Sequence, residues 1–230
     1  AIRENLGGAK IRSVSSENGL ISNSGIEHLR IKSINDPPEK DSAISLSGVK
    51  DCWVRNITAL YFGYAAVETR SYRKYSRNIT IQDCAMLDYK GGEGGWGYSF
   101  KLAYAQRCLV QRCYSRGGRH PFVANGRAWG PNVFVDCYAT ESKNETGSHM
   151  KYATGLLYDN VKVKAEKFPG DYGLVVRNRG PFYEHGQMGG QNVFWNCVSL
   201  KYNSIPGRIV CETPAHAMNF AIGCKGLREN

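Results

Sequence analysis

The chain has 230 residues, 26 of them Gly and 14 Tyr, and a formal charge of +10 with an isoelectric point near 9.2. No stretch approaches the ~18 uninterrupted apolar residues that a transmembrane helix requires, so no transmembrane helix is expected. The positive excess favours a polyanionic partner by raising its local concentration.

Two kinds of strand alternate along the chain. The first kind is Ala43-Ile44-Ser45-Leu46, Ala66-Val67-Glu68-Thr69, Ser99-Phe100-Lys101-Leu102, Phe122-Val123-Ala124-Asn125, His149-Met150-Lys151-Tyr152 and Leu174-Val175-Val176-Arg177. The second kind closes on a small apolar residue or Cys, usually after Asn or Asp: Val54-Arg55-Asn56-Ile57, Ile81-Gln82-Asp83-Cys84, Val110-Gln111-Arg112-Cys113, Phe134-Val135-Asp136-Cys137, Tyr158-Asp159-Asn160-Val161 and Phe194-Trp195-Asn196-Cys197. Its final positions are 57, 84, 113, 137, 161 and 197, with Ile31 fitting one step before and Cys224 one step after. Spacings of 27, 29, 24, 24 and 36 residues mark a repeat with loops of variable length. β-branched, strand-like units of this size read as turns of an all-β, right-handed parallel β-helix of about eight coils. Residues 1–230 are taken as a single domain of that kind. The chain opens on Ala1-Ile2-Arg3-Glu4, and neither a signal peptide nor a convincing N-terminal cap is visible. It is therefore read as a mature product or a piece of a longer chain.

The Asn or Asp before each ladder residue suits a tight turn, since its side chain bonds local backbone and tolerates positive φ. Cys84, Cys113, Cys137 and Cys197 share one coil position and should point inward as small hydrophobes rather than form disulfides. Cys52 and Cys108 lie two coils apart, too far to bridge at about 4.8 Å per strand. Cys211 with Cys224 is the only pairing considered. Of the sequons at Asn56, Asn78 and Asn144, only Asn144 falls in a loop suited to a glycan. The loops are Gly-rich and charged, the longest insertion running from Gly180 to Gly190. Long loops on a rigid repeat usually carry function.

The segments Gly118-Arg119-His120, Gly130-Pro131-Asn132-Val133-Phe134-Val135-Asp136-Cys137, Ser148-His149-Met150-Lys151-Tyr152-Ala153-Thr154-Gly155, Asn192-Val193-Phe194-Trp195-Asn196-Cys197 and Asn219-Phe220-Ala221-Ile222-Gly223-Cys224 carry a resemblance. From about residue 25 to its end the chain resembles secreted right-handed parallel β-helix proteins of the pectate-lyase-like superfamily. The resemblance implies the fold and a secreted, extracellular location. It leaves the activity open, because that superfamily includes lyases, hydrolases, adhesins and binding proteins.

Hydrolysis of the polygalacturonase type needs paired carboxylates, and the chain lacks an Asn-Thr-Asp segment and an Asp-Asp pair. Calcium-dependent lyases present several carboxylates on neighbouring coils. Here the first strands offer Lys101, Asn125, Lys151 and Arg177, so no cofactor or metal is expected, with calcium left open at Glu68 or Asp171. What the chain does offer is a basic strip, 13 Lys and Arg against 7 Asp and Glu from 101 to 185, with His120, His149, His185 and His216 at near-coil spacing. β-Elimination of a uronate needs a cation on the carboxylate and a base for the α-proton. Arg119, Arg127, Arg177 and Arg179 are the candidates for carboxylate binding. His120 or His149 is the candidate base, assisted by Lys151 or Tyr152, and Tyr183 and His185 are placed to close the cleft from the long loop. The leading expectation is a secreted polysaccharide lyase acting on a uronic-acid polymer. The alternative is a non-catalytic β-helix that binds acidic glycan or builds an extracellular assembly. Nothing points to a nucleic-acid partner, because the basic residues lack interleaved aromatics of the RNA-binding kind.

Overall fold

A computed structural model describes residues 19–34, 41–71, 74–91, 97–165, 173–177, 185–186, 189–200, 207–214 and 217–229. Among these, every regular element is a strand, and the strands pair in parallel into sheets of 15, five and three strands. Among the described residues no helix is long and apolar enough to cross a membrane. The strands form a parallel β-solenoid of about six turns, rather than the eight expected. The first rung, Gly25–Lys32, pairs with Val49–Leu60 but stays largely exposed, and the last, Phe220–Ile222, is a three-residue strand.

The ladder is present as expected. Val54 pairs with Ile81, Ile81 with Val110, Val110 with Phe134, Phe134 with Tyr158, Tyr158 with Phe194 and Phe194 with Ala221. Ile57, Cys84, Cys113, Cys137, Val161 and Cys197 are all buried. Before each of them the chain turns through a left-handed residue: Asn56, Asp83, Arg112, Asp136, Asn160 and Asn196 have φ between 49° and 54°. Asn and Asp visit this region at low cost because their short polar side chains bond locally. The turn divides most coils further than two strands, for example into Ser76–Gln82 and Ala85–Leu87, or Leu109–Gln111 and Tyr114–Arg116. Both halves belong to the 15-stranded sheet. Between coils the turn residues bond one another, as Asn160 Nδ2 does to Asp136 Oδ1 at 2.7 Å and Arg112 to both Asp83 oxygens at 2.7 and 2.9 Å.

The interior is a stack of rings and thiols. Phe100 meets Phe122 at 5.6 Å, Phe134 meets Tyr158 at 4.8 Å with planes 5° apart, and Tyr158 meets Phe194 at 5.1 Å. Burying each such side chain stabilises by about 1.5–3 kcal/mol. All eight cysteines are free, so the pairing considered for Cys211 and Cys224 is not made. Each ladder thiol donates to the carbonyl two residues back: Cys84 to Gln82 (3.1 Å), Cys113 to Gln111 (3.4 Å), Cys137 to Val135 (3.3 Å) and Cys197 to Trp195 (3.4 Å). The carbonyls of Gln111, Val135 and Trp195 also accept from the N–H groups of Asp83, Arg112 and Asn160 on the preceding coil, so thiol and ladder share them.

A second, buried ladder escaped the sequence reading. Asn132 Oδ1 accepts from the Cys108 N–H at 3.0 Å, while its Nδ2 donates to Ala105 O and Trp129 O at 3.2 and 3.0 Å. Asn192 repeats this with the Leu156 N–H and Ala153 O. Asn219 follows with the Asn192 N–H, Gly189 O and Glu212 O. A buried amide is retained when all its donors and acceptors are met, and these amides bond backbone groups across successive coils.

The first strands form the five-stranded sheet Ser42–Leu46, Ala65–Thr69, Tyr98–Ala103, His120–Asn125 and Gly147–Ser148. Its three central strands are buried at every residue. That face was expected to meet solvent. Instead Glu68, Lys101, His120 and His149 sit under cover. The strand expected over 149–152 does not form; the fifth strand is instead the two-residue Gly147–Ser148. Lys151 and Tyr152 do not alternate across a strand, since both have φ of 56°.

Candidate functional site

Four rings from consecutive coils meet at the start of the covered sheet. Tyr98 pairs with His120 in the parallel register, and their rings stack at 5.4 Å and 21°. The ring of His149, from the next coil, lies 4.4 Å from His120 and 5.7 Å from Tyr98. His185 meets His149 edge-on at 5.0 Å. Beside them Lys101 Nζ lies 4.8 and 4.9 Å from the rings of Tyr64 and Tyr98 and donates to Tyr64 Oη at 2.6 Å. Its counter-charge is Glu68, at 3.4 Å, which also faces Arg70 at 3.5 Å and accepts from Ser42 Oγ at 2.9 Å. The Glu68 carboxylate is thus already matched by cations and is no calcium ligand as it stands. Burial and the Glu68 charge push the Tyr64 hydroxyl up to about 12.

The hydrogen bonds assign the His120 tautomer. Arg119 Nη1 lies 2.8 Å from His120 Nε2, and a guanidinium can only donate, so Nε2 accepts. The ring proton then sits on Nδ1 and is donated to the Glu145 carbonyl at 3.0 Å. His120 is therefore neutral and holds Arg119 in place. His149 is also neutral near pH 7: burial first, then the charges of Arg119 and Lys101, lower its pKa to about 4. Its Nδ1 is 3.5 Å from Glu145 Oε1 and makes no hydrogen bond among the described residues.

The sequence-predicted residues fall into three settings. Arg119, His120, His149 and His185 come together. Within this group His120 is 0% exposed and His149 3%, whereas Arg119 and His185 are half-buried. Lys151 and Tyr152 are exposed beside this group, with the Lys151 N–H donating to the His185 carbonyl at 2.9 Å. Arg127 is exposed at another corner, where its charge acts on Tyr75 and where the exposed Trp129 stacks on Tyr75 at 5.1 Å and 18°. Arg177 is half-buried just past the strand Gly173–Val176. Arg179 and Tyr183, with Asp171 and His216, lie outside the described residues. Asn144 is half-buried, and its side-chain oxygen accepts from the Glu145 N–H at 2.8 Å.

Sequence reasoning missed Glu145, Tyr98 and Tyr64. Glu145 is 2% exposed and touches both buried histidines. The available signal was its place one coil after Arg119-His120 and four residues before His149. His120, Glu145 and His149 each bring a possible metal-ligand atom within 4.8 Å of the others. Comparison with protein families, with curated proteins and with solved structures found no match for this chain.

Proposed function

We propose that this chain is a secreted carbohydrate-active protein, a polysaccharide lyase that cleaves a uronic-acid polymer by β-elimination. The observation that carries the reading is the gathering of a half-buried guanidinium, Arg119, with His185, Lys151 and Tyr152 at the open end of the covered sheet. Arg119 would bind the uronate carboxylate as a planar fork, making the α-proton acidic. Tyr152, acting as its phenolate, would take that proton. The electron pair left by the broken C–H bond forms the new C=C bond as the bond to the β-oxygen breaks, and the resulting phenol hands the same proton to the departing oxygen. Lys151 adds positive charge where the carboxylate gains electron density. His120 and His149 lie beneath the surface, and in this reading they position Arg119 rather than touch the polymer.

The second reading, a non-catalytic module that binds acidic glycan, draws support from the same burial of His120 and His149 and from the +10 charge. Both readings meet one experiment. The protein is incubated with a panel of uronate polymers, and the ultraviolet absorbance of the unsaturated product is followed. Under the lyase reading absorbance grows with at least one polymer, and Tyr152→Phe abolishes the growth while leaving the fold intact. Salt-sensitive binding without any absorbance change rejects the lyase and leaves the binding module.

A further inference from the structure

We infer that His120, Glu145 and His149 form a binding site for a divalent transition-metal ion of the zinc class, with His185 on its outer side. This goes beyond the lyase reading and does not rest on it, because these three side chains are not the ones that meet the polymer there.

The donor set comes first. Two imidazoles and one carboxylate suit zinc and its neighbours, whereas calcium and magnesium take oxygen ligands. Geometry agrees. Donors about 2.0–2.1 Å from a tetrahedral ion stand roughly 3.4 Å apart. His149 Nδ1 and Glu145 Oε1 are 3.5 Å apart, and one donor from each of the three residues lies within 4.8 Å of the others. A contraction of side chains, with no movement of strands, therefore suffices. The arrangement also fails as an ordinary hydrogen-bonded cluster, since His149 Nδ1 is buried 3.5 Å from a carboxylate oxygen without bonding it.

Burial sharpens the case. The three residues are 0%, 2% and 3% exposed, so an ion held among them is shielded from water. His120 already has the orienting contact of a ligating imidazole, its Nδ1–H on a backbone carbonyl. Ligation through His120 Nε2 keeps that contact and takes the lone pair that otherwise accepts from Arg119 Nη1, so the ion and the Arg119 position of the lyase reading exclude each other. His185, edge-on to His149 and partly open to solvent, is the residue through which a fourth position would be reached. An ion here would tie together the two coils that carry His120 and His149.

The test uses the full chain with no polymer present, so its outcome is independent of lyase activity. The protein is stripped with a chelator, equilibrated with Zn²⁺, Co²⁺ or Ca²⁺, desalted and assayed for metal content. About one Zn²⁺ or Co²⁺ per chain is expected, with a raised thermal midpoint and no comparable effect of Ca²⁺. Glu145→Gln and His149→Ala should each weaken binding by at least about 100-fold. Because the chain holds eight free thiols, the Co²⁺ spectrum of the unmutated protein provides a readout that needs no variant. Ligand-field bands without thiolate charge transfer support the site. Thiolate charge transfer, substoichiometric binding, or undiminished binding in both folded variants would overturn it.

Discussion

The buried asparagine ladder yields the sharpest quantitative prediction. Asn132 is fully buried, and its side chain serves the Cys108 N–H and the Ala105 and Trp129 carbonyls at 3.0–3.2 Å. Asn132→Ala leaves that N–H without its acceptor and removes a donor from two carbonyls. An unmet buried polar group costs about 1–3 kcal/mol, and the carbonyls retain a second lone pair for other partners, so a total loss of about 3–5 kcal/mol is expected. That is a large share of the roughly 5–15 kcal/mol that holds a typical protein folded. The control is Asn160→Gly, in the outer ladder. It removes the solvent-facing bond to Asp136 at 2.7 Å while glycine keeps the φ of 51°, so the loss should stay below about 1 kcal/mol. Equilibrium urea unfolding, followed by tryptophan fluorescence, measures both. With a slope of about 2–3 kcal/mol per molar, Asn132→Ala should lower the midpoint by about 1–2 M and the control by under 0.5 M. Equal losses in the two variants, or less than about 1 kcal/mol for Asn132→Ala, would refute the claim that buried amides rather than surface turns hold the coils together.

Two further outcomes test the interior. A thiol reagent should modify no more than two cysteines of the native protein, the half-buried Cys211 and Cys224, and all eight after denaturation; fewer than eight would show that a disulfide exists. Lys101→Met should destabilise by about 3–5 kcal/mol because it leaves the Glu68 carboxylate, 1% exposed, without its buried cation, and adding Glu68→Leu should recover most of that loss. If the double variant is as unstable as the sum of the single ones, in a urea double-mutant cycle, the pair is not energetically linked.

The architecture was legible because its signal is periodic. A small residue after Asn or Asp at near-constant spacing survives loops of any length, and those positions became the left-handed turns and the thiol column. The number of turns was read slightly high, at eight against about six. The site was half legible. His120, His149 and His185 were grouped with His216 from near-coil spacing and Arg119 was chosen for its charge; His216 lies outside the described residues, and the other three histidines and Arg119 do meet. Their burial was not foreseen, because polar residues in alternation normally mark a solvent face, and here both faces of the strand are covered. Glu145 gave only the cue of its spacing from His120 and His149, and a lone loop carboxylate between Asn144 and Thr146 looks like any solvated turn. Asn132, Asn192 and Asn219 stood in the very segments that carried the resemblance, yet a buried amide is indistinguishable from a turn asparagine until its backbone partners are known.

The stacked thiols also constrain how the chain is made. Eight unpaired cysteines entering an oxidising compartment allow 105 complete pairings, and none belongs to the native structure. Biogenesis outside the cytosol would be a race between oxidation and stacking. A solenoid gains structure by adding each turn to its neighbour, so a ladder thiol leaves the reach of oxidant once the next coil closes over it. The column of sulfur that fills the core is then protected by the progress of folding itself, and anything that stalls that front exposes the unfinished end to miswiring.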